Sequence, residues 1–522
     1  MFVTPKQMLD IENLSEEQGV SKAALMENAG GAVCLFIMQE IYPNLDLSDG
    51  ICILVGSGNN GGDGLAAAHC LAETGLPVHV LMTDGNPKTE LAVGWYEKVK
   101  STPEIHLLAG NIALSEIYQI IAGSPLIIDC IFGTGYDAKK PAPPHIQMLL
   151  DFVKKSSAVK IAVDIPSLAD AFSGEYDIGI NYSYTLSLGF DKIGVSQPPL
   201  SGFAGEIKTL DIGIPESALP ETNAGIETLK WSAENIFTDR KPDSHKGDFG
   251  RVLIIAGSSR YSGAAHFAAA AAIRSGAGLV TLASTKEVCD RLASAIPELM
   301  YMPLPADKNG TIGISAVKEL SSVIEKYDVV AFGCGIGESP AASDIAEMII
   351  KGKTAVKIFD ADGIKALLPI IELLSKSIGE IIITPHAGEL AALYNTTIAE
   401  ADKNRLQYAR SFAFEHAVTV IAKGVPNVIS DKNGGAKLLY AGNPGLSRGG
   451  SGDCLTGIIA GLAANRMTVF SAHAETADSL RLAIDAVGLH GAAADIAADK
   501  KTVHCMSVSD VINSIPEVIK GC

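Results

Sequence analysis

The chain has 522 residues, more than one hydrophobic core usually serves, so we expect at least two domains. Hydrophobic residues make up 47% of the sequence and 52 residues are glycine, a composition that suits an α/β protein with helices packed closely on a sheet. The formal net charge of −18 argues against a nucleic acid or an anionic membrane as the main partner.

The amino-terminal residues lack the apolar stretch of a secretory signal, and no uninterrupted apolar run reaches the ~18 residues that a membrane-spanning helix needs. We therefore expect a cytoplasmic protein that does not bind membranes. The nine cysteines show no C-x-x-C pair and no Cys/His spacing typical of a metal site. Cys52 and Cys130 lie within apolar runs and are expected to be buried free thiols.

The first block of alternating strands and helices contains a glycine-rich loop after its first strand. Predicted strands cover residues 51–55, 78–82, 126–130 and 161–165, and the first helix covers 64–74. The loop GSGNNGGDG at 56–64 fits G-x-G-x-x-G, and Asp84 follows the next strand about 20 residues further on, as in dinucleotide-binding folds. One interpretation is an NAD-dependent dehydrogenase. The two asparagines and the aspartate of the loop also suit a monovalent cation or a ribose phosphate.

A domain boundary is predicted in the segment 215–230, which is polar, contains Pro215 and Pro220, and shows little periodicity of either kind. The boundary gives domains of residues 1–218 and 225–522. The second block then repeats the α/β pattern. Its predicted strands cover 252–256, 279–282, 329–332, 356–359, 381–383 and 418–422, and its first helix covers 264–275.

The segment NPGLSRGGSGDCLTG at 443–457 is the most informative part of the chain. Its glycines let backbone amides approach an anion, and the apolar helix predicted over 455–464 would add positive partial charge from its N-terminus. Asp453 stands where a carboxylate could remove a proton from a hydroxyl group that faces a phosphate. An anion-binding loop with a base indicates phosphoryl transfer.

Other polar residues directly follow predicted strands of the second block, where the ligands of a parallel sheet collect. They include Gly335 in GCGIG, His386 in TPHAGEL and Lys423 before Gly424. His386 could contact a phosphate or a carboxamide, and Lys423 could reach nucleotide phosphates.

Three segments of the first block, GSGNNGGDG (56–64), IIDCIFGTG (127–135) and AVDIPS (162–167), occur in the order found in one known family. With them the block resembles the NAD(P)H-hydrate epimerase domain. The resemblance implies a Rossmann-like three-layer α/β/α fold, Asp164 as the acid/base at the hydrated nicotinamide, and a K⁺ ion on Asn60, Asp129 and Ser167. The implied substrate contacts are Asn59, Asn60, Gly61, Gly62, Asp63, Gly133, Thr134, Gly135, Tyr136, Asp137, Ala138, Lys139 and Asp164.

Three positions depart from that family's pattern. After Pro166 and Ser167 the pattern has glycine, whereas this chain has Leu168, which lacks the freedom of glycine at positive φ. We therefore expect a rearranged loop there. Ser57 stands where proline is common, and GFDK at 189–192 matches the family's glycine–proline–lysine strand end only loosely.

The motifs from residue 240 to the C-terminus, including His490 before Gly491, resemble the ADP-dependent NAD(P)H-hydrate dehydratase, an α/β/α member of the ribokinase-like superfamily. The resemblance implies ADP as phosphoryl donor, Mg²⁺ to offset its charge, and Asp453 as the base that deprotonates the C6 hydroxyl of the hydrate. The implied hydrate contacts are Ala264, Ala265, Gly335, His386 and Asp453. The implied nucleotide contacts are Lys423, Gly424, Val425, Pro426, Asn427 and Gly452.

The two resemblances agree on one substrate. Water can add to either face of the nicotinamide ring, so a stereospecific dehydratase rescues one epimer and an epimerase lets the other follow. The expected function is the repair of hydrated NADH and NADPH: epimerisation of the R and S forms, and ADP-dependent dehydration of the S form with release of AMP and phosphate. We also expect a homo-oligomer.

Two alternatives stay open at this point. A ribokinase-type kinase could stop at a stable phosphate ester, and the glycine–aspartate motif alone does not exclude it. The N-terminal block could bind a nucleotide, or act as a scaffold, without catalysis. The dehydrogenase interpretation is the least favoured, because no hydride-acceptor site is evident and two glycine loops of different type would go unexplained.

Overall fold

The computed structural model of the protein describes residues 2–110, 112–136, 140–218, 226–229, 231–234, 236–237, 240–466 and 478–520. Contacts between residues divide the chain into two compact units, Met1–Ile226 and Glu227–Cys522. Each unit is built on a sheet of mainly parallel strands with helices between them, which confirms the predicted α/β class.

The first unit has nine strands and six helices among its described residues. The strands are β1 (Phe2–Val3), β2 (Ile51–Val55), β3 (Val78–Met82), β4 (Ile105–Leu108), β5 (Leu126–Cys130), β6 (Val159–Val163), β7 (Tyr184–Leu188), β8 (Asp191–Lys192) and β9 (Glu206–Leu210). The helices are α1 (Pro5–Glu17), α2 (Lys22–Phe36), α3 (Asn59–Glu73), α4 (Glu90–Lys100), α5 (Leu114–Gly123) and α6 (Pro144–Lys155).

Seven of these strands form a parallel sheet in the order β4-β3-β2-β5-β6-β7-β9. Chain order reverses between β2 and β5, and ligands of such sheets bind outside the carboxyl ends of the strands at this reversal. The two remaining strands, β1 and β8, pair with each other, with Val3 opposite Lys192. The topology therefore directs attention to the loops that follow β2, β5 and β6.

The loop after β2 is shorter than the sequence predicts. Helix α3 begins at Asn59 rather than at residue 64, so most of the glycine-rich segment forms the first turns of the helix. A side chain at Gly61 would place its Cβ 2.0 Å from the carbonyl oxygen of Gly56, and one at Gly56 would lie 1.9 Å from that of Ile131. These glycines are needed because the helix start and the loop after β5 press directly on the end of β2.

The second unit has ten strands and eleven helices among its described residues. The strands are β10 (Ile226–Leu229), β11 (Arg251–Ile255), β12 (Leu279–Thr285), β13 (Met300–Leu304), β14 (Val329–Phe332), β15 (Val356–Phe359), β16 (Glu380–Ile383), β17 (Thr419–Ala422), β18 (Asn427–Ser430) and β19 (Ala436–Leu439). The helices are α7 (Ser262–Arg274), α8 (Lys286–Leu292), α9 (Ala316–Ser321), α10 (Ala342–Lys351), α11 (Asp362–Leu367), α12 (Ala387–Leu393), α13 (Ile398–Lys403), α14 (Arg405–His416), α15 (Ser451–Asn465), α16 (Ser479–Lys501) and α17 (Val508–Lys520).

The sheet of the second unit runs β10-β19-β18-β17-β16-β15-β14-β11-β12-β13. Strands β11 to β17 pair in parallel, whereas β18 and β19 are antiparallel. Helix α15 begins at Ser451, four residues before the predicted start, so Asp453 lies in its first turn. A Cβ at Gly457 or Gly461 would come within 2.2 or 2.5 Å of a carbonyl oxygen of α7, which explains the small residues along both helices.

Within the described residues, Cys52 and Cys130 are buried free thiols as predicted, and Cys505 is exposed. No single helix of the described ranges has the length and hydropathy to cross a bilayer. The helical segments Pro5–Glu17 and Lys22–Asn44, bent by 115°, meet that criterion only as a pair, by length and composition alone.

Candidate functional site

The first unit contains a cleft of ≈ 540 Å³ at the carboxyl ends of its central strands. Its charged side chains include Glu12, Asp63, Asp164 and Lys192, and Lys22 and Lys140 line it as well. Other predicted contacts that line it are Asn59, Asn60, Gly133, Thr134, Gly135 and Tyr136. The cleft thus gathers residues from the loops after β2, β5 and β6 and from the N-terminal helix.

Two groups of predicted contacts lie outside the cleft or outside the described residues. Gly61 and Gly62 face the protein interior, where a Cβ would meet Gly56 and Met26. They therefore shape the helix start and not the wall of the cleft. Asp137, Ala138 and Lys139 lie outside the described residues.

Asp164 follows β6 and adopts a φ of 67°, an unusual left-handed conformation for a residue other than glycine. Its amide donates to the carbonyl oxygen of Leu186 at 2.7 Å, which fixes this backbone. The ammonium group of Lys192 donates to the Asp164 carboxylate and, at 2.9 Å, to the carbonyl oxygen of Leu188. Only 1% of the Lys192 side chain is exposed, so the pair is a buried one.

Two further carboxyl groups share this cleft. Burial, the charge of Asp164 and the charge of Glu12 raise the pKa of Asp63 well above its ordinary value. Burial and then Asp164 likewise raise the pKa of Glu12, against the opposing effect of Lys192 and Lys22. Both carboxyl groups therefore hold a proton more readily than a solvent-exposed carboxyl group does.

The three residues predicted to hold K⁺ are only partly linked. The Ser167 hydroxyl donates to Asp129 at 2.6 Å, and Asp129 also accepts from Tyr182 Oη at 2.6 Å. Burial raises the pKa of Asp129 although these hydrogen bonds lower it. Asn60 is buried beside Gly133, and within the described part of the chain neither its amide oxygen nor its nitrogen has a hydrogen-bond partner.

The loop after Asp164 contains a residue in an unusual conformation. Leu168 takes a φ of 70°, the left-handed conformation that glycine favours, and its side chain is buried. The leucine thus adopts backbone angles that glycine favours, and a rearrangement relative to the family's loop stays a prediction. The neighbouring Ser167 amide donates to Asp129 at 3.1 Å and holds the loop against β5.

The second unit brings Asp453 next to Asp360 and Cys334. One ligand atom from each of these three residues lies within 4.8 Å of the others. Burial and then the charge of Asp360 raise the pKa of Asp453 to about 6, although Cys334 and Lys423 act in the opposite direction. Asp453 is therefore a carboxylate that can take up a proton near neutral pH.

Asp360, the residue after β15, joins four elements. Its carboxylate accepts from Thr384 Oγ1 at 2.6 Å, from Lys423 Nζ at 2.9 Å and from Thr456 Oγ1 at 2.9 Å. Burial alone would raise its pKa, but Lys423 and these hydrogen bonds lower it. Asp360 thus stays ionised, whereas its neighbour Asp453 forms no ion pair with any residue that the structure describes.

Lys423 follows β17 and points into the same cluster. Its ammonium lies 3.9 Å from the Glu389 carboxylate, and a Cβ at Gly452 would lie 3.2 Å from Lys423 Nζ. Asp453, Gly452 and Lys423, predicted separately from the sequence, are therefore neighbours. The nearby His490 is buried, and its Nε2 has no partner among the described residues; burial and Lys423 lower its pKa to about 4.

Besides Asp453, four residues are predicted to contact the hydrate, and their surroundings differ. Gly335, with a φ of 63°, faces Ala264, since a Cβ on Gly335 would lie 2.7 Å from that of Ala264. Ala265 is buried in the core instead, against Gly257. His386 caps α12: its Nδ1 accepts from the amides of Gly388 and Glu389.

The turn that connects β17 to β18 contains Lys423, Gly424, Val425 and Pro426, and Asn427 is the first residue of β18. Arg405 lies beneath it and donates to the carbonyl oxygen of Val425 at 3.1 Å. A Cβ at Gly424 would lie 1.7 Å from a guanidinium nitrogen of Arg405, so only glycine fits there. The exposed Val425 side chain shows that the turn reaches the surface of the unit.

Sequence reasoning missed Glu12, Tyr182 and Arg405 altogether. Lys192 lies in GFDK and Asp360 in the strand-end segment FDADG (359–363), but neither motif by itself assigns a role to its residue. The strand-end position of Asp360 in FDADG was a usable signal, because carboxyl ends of parallel strands meet at one edge. Glu12 carries no such signal, since it lies in an amphipathic helix far from the other motifs.

Comparison with known proteins assigns both units. Residues 252–517 match the family model described as NAD(P)H-hydrate dehydratase, and residues 22–194 match that of the YjeF-related protein N-terminus. The bifunctional NAD(P)H-hydrate repair enzyme of Moorella thermoacetica is 32% identical, over 100% of this chain and 97% of its own. That of Pyrobaculum aerophilum is 32% identical, over 99% and 98%.

Among solved structures, the ADP/ATP-dependent NAD(P)H-hydrate dehydratase of Bacillus subtilis, co-crystallised with ATP and Mg²⁺, is 26% identical and covers 56% of this chain and 97% of that one, with a TM-score of 0.47. The sequence comparisons extend along both units and keep their order. The chain therefore belongs to the family of bifunctional NAD(P)H-hydrate repair enzymes.

Proposed function

We propose that the protein repairs hydrated NADH and NADPH, by epimerising their R and S forms and by dehydrating the S form with ADP, which yields AMP and phosphate. Family membership along the whole chain supports both activities. The observation that carries the dehydratase assignment is the position of Asp453 beside Lys423 and the glycine-rich start of α15. The Asp453 carboxylate forms no ion pair within the described residues.

The dehydration begins with Asp453 as general base. Asp453 takes the proton of the C6 hydroxyl, whose oxygen then attacks the terminal phosphorus of ADP, and AMP leaves. The phosphate ester at C6 next departs as inorganic phosphate, pushed by the electron pair of the ring nitrogen, and loss of a proton from C5 restores the dihydropyridine. A base with a pKa of about 6 suits this role because it is largely ionised at neutral pH yet still accepts a proton.

The amides at the start of α15 would receive the charge of the transferred phosphoryl group. Gly450 takes a φ of 99°, which turns the chain into the helix, and Arg448 secures the loop by donating to the carbonyl oxygens of Gly445 and Met506. A helix N-terminus combines free amides with positive partial charge. Lys423, Gly424, Val425, Pro426, Asn427 and Gly452 would bind the nucleotide.

Mg²⁺ is part of the proposal, but the side chains near Asp453 do not fit a dedicated magnesium site. Mg²⁺ prefers six oxygen ligands, whereas Cys334 offers a thiol and the Asp360 oxygens already accept three hydrogen bonds. We therefore expect Mg²⁺ to enter on the phosphates of ADP. No step of the mechanism is assigned to it.

K⁺ fits the first unit better. Asn60 presents a buried amide oxygen without a partner, and a carbonyl-type oxygen is a ligand that alkali cations accept. Asn60, Asp129 and Ser167 would hold the ion, whose positive charge would order the anionic substrate and the loops around it. Asp164 would act as the acid/base at C6 of the hydrate, and the remaining cleft residues would contact the nucleotide.

The epimerase is assigned to residues 1–218 and the dehydratase to residues 225–522, which the two compact units support. The proposed hydrate contacts of the second unit are Ala264, Gly335, His386 and Asp453. Ala265 contributes through packing behind Gly257. The cytoplasmic location and the homo-oligomer stay predictions.

Product stoichiometry tests the dehydratase half of the proposal. The full-length protein, given Mg²⁺, ADP and the hydrated S form of NADH, should release AMP, phosphate and NADH in equal amounts. A kinase of the ribokinase type would instead accumulate a stable phosphate ester without regaining the absorbance of the reduced nicotinamide. Phosphorus NMR and absorbance, followed in one sample, separate the two results.

A further inference from the structure

Glu12, Asp63, Asp164 and Lys192 of the N-terminal cleft have different parts in proton transfer, which the motifs alone do not show. Epimerisation at C6 requires one bond to that carbon to break and re-form. If the C6–N1 bond breaks, the hydroxyl loses a proton and the nitrogen gains one; if the C6–O bond breaks, the departing oxygen gains a proton and the incoming water loses one. Either course needs a base and an acid at the same time.

Asp164 cannot serve as both at once. Its carboxylate accepts a hydrogen bond from the buried ammonium of Lys192, and the two side chains form an ion pair. Lys192 is itself fixed by the Leu188 carbonyl oxygen at 2.9 Å and has 1% of its side chain exposed. The arrangement keeps Asp164 as the base and leaves the acid to another group.

Glu12 and Asp63 face this pair from the other walls of the cleft. Each feels the negative charge of Asp164, and Asp63 also feels that of Glu12. Three carboxyl groups around one buried ammonium cannot all be ionised at low cost, so the two that lack the lysine retain a proton between them. Lys22 is the other cation that faces Glu12.

The N-terminal segment, residues 2–17, holds these groups in place. Strand β1 pairs with β8, with Val3 opposite Lys192, and both Phe2 and Val3 are buried. Thr4 then caps α1 in a reciprocal hydrogen-bond arrangement with Gln7. Ile11, buried on the same helix, fixes the position from which Glu12 reaches the cleft.

We propose that Glu12, together with Asp63, supplies the proton that epimerisation needs, and that Lys192 is the residue that positions Asp164 as the base. The inference rests on the proposed epimerase function. It adds an acid from a helix that precedes the matched family region 22–194, and it makes the N-terminal segment part of the site.

The full-length protein allows a test with an internal control. With Mg²⁺, ADP and the purified R form, NADH appears only after epimerisation, whereas the S form reports dehydration alone. Glu12→Gln should lower kcat for the R form about 100-fold or more, as loss of a general acid does, and leave the S-form rate within twofold. The exposed Glu17, on the same helix, provides the matched control Glu17→Gln, which should change neither rate.

Lys192→Met tests the positioning role. It should lower R-form turnover about 100-fold through misplacement of Asp164. The loss should fall on kcat, with KM for the R form within about threefold, and Lys192→Arg, which keeps the positive charge, should recover about tenfold of the rate. Lys208→Met, at a surface pair with Glu206, is the control.

Two results would overturn the inference: Glu12→Gln or Lys192→Met with an R-form kcat within about threefold of the unmutated protein. A Lys192→Met protein with a lower thermal midpoint but an unchanged R-form kcat would mean that the lysine is structural only. If the unmutated protein itself fails to use the R form, the proposed epimerase function fails, and that result is distinct from a failure of this inference.

Discussion

Each unit has a lysine paired with an aspartate, but the paired aspartate is the proposed base in the first unit and not in the second. In the first, a buried lysine pairs with Asp164, the proposed base, and the neighbouring carboxyl groups have raised pKa values. In the second, the lysine pairs with Asp360, and the proposed base Asp453 is the group whose pKa rises, to about 6. In each unit, therefore, the carboxyl groups with raised pKa values are those that do not pair with the buried lysine.

The difference matches the two reactions. Epimerisation must return every proton that it removes, so a base and an acid have to coexist in one cleft. Phosphoryl transfer needs a base at the hydroxyl and positive charge near the phosphates, and Lys423 can offer its ammonium there while Asp360 holds it. The two sites therefore differ in whether the lysine ammonium pairs with the proposed base or with the aspartate beside it.

Asp453→Asn should have the largest effect. Loss of the general base should lower dehydration of the S form by 10² to 10⁴, about the range seen for such losses, without disturbing nucleotide binding. Initial rates with the S form and ADP binding by calorimetry measure the two quantities. The exposed Asp499 supplies the control variant Asp499→Asn; an Asp453→Asn rate within threefold of the unmutated protein would refute the role of the base.

Lys423→Met should be the next most severe change, because it removes the cation from a buried carboxylate. Asp360 would keep Thr384 and Thr456 but lose its ion-pair partner, and breaking a buried pair typically destabilises a protein by about 3–5 kcal/mol. Denaturant unfolding followed by Trp231 in a Trp95→Phe background measures the second unit.

The matched control for this change is Lys432→Met, which removes a more exposed pair with Glu380. Such pairs contribute about 0–1 kcal/mol. If the two variants lose the same free energy of unfolding, Lys423 does not compensate a buried charge and the comparison between the units weakens.

The pH dependence of dehydration should be moderate in size. Asp453 has to be ionised to act, and burial with Asp360 raises its pKa to about 6, so kcat should fall as pH decreases through about 6. Below that value the loss should approach tenfold per pH unit. A profile of kcat at saturating ADP measures this limb, and a limb near the ordinary aspartate value would contradict the influence of Asp360.

Leu168→Gly should have the smallest effect. Glycine would relieve a φ of 70°, a conformation that disfavours other residues by about 1–2 kcal/mol, but it would also remove a buried leucine side chain of similar worth, about 2 kcal/mol. The R-form rate and the unfolding free energy should both stay close to those of the unmutated protein. A tenfold gain in R-form turnover would mean that Leu168 impairs the loop.

The sequence predicts ten of the seventeen strands in the two sheets, and these are continuous apolar runs such as Leu126–Cys130 and Val356–Phe359. It misses β4, β7 and β9 of the first sheet and β10, β13, β18 and β19 of the second. It places the starts of α3 and α15 too late, since glycines and asparagines read as loop although they form first helical turns. The local sequence does not show that α3 and α15 begin where the backbone passes close to a neighbouring element.

The sequence also points to only some of the residues proposed for the two sites. It singles out residues within glycine-rich motifs, such as Asp453 and Asn60. It does not show pairings across long separations, and Lys192 with Asp164 or Tyr182 with Asp129 depend on the fold that brings β5, β6 and β8 together. The unusual φ of Leu168 also needed the structure, because propensity alone favours glycine there.

The most direct test of the account is recovery of reduced nicotinamide from an epimer mixture of hydrated NADH, using the full-length protein with Mg²⁺, K⁺ and ADP. The account predicts that absorbance returns completely, because the R form feeds the S form and the S form is dehydrated. Recovery that stops at the proportion of the S form would contradict the epimerase, and no recovery at all would contradict the repair function itself.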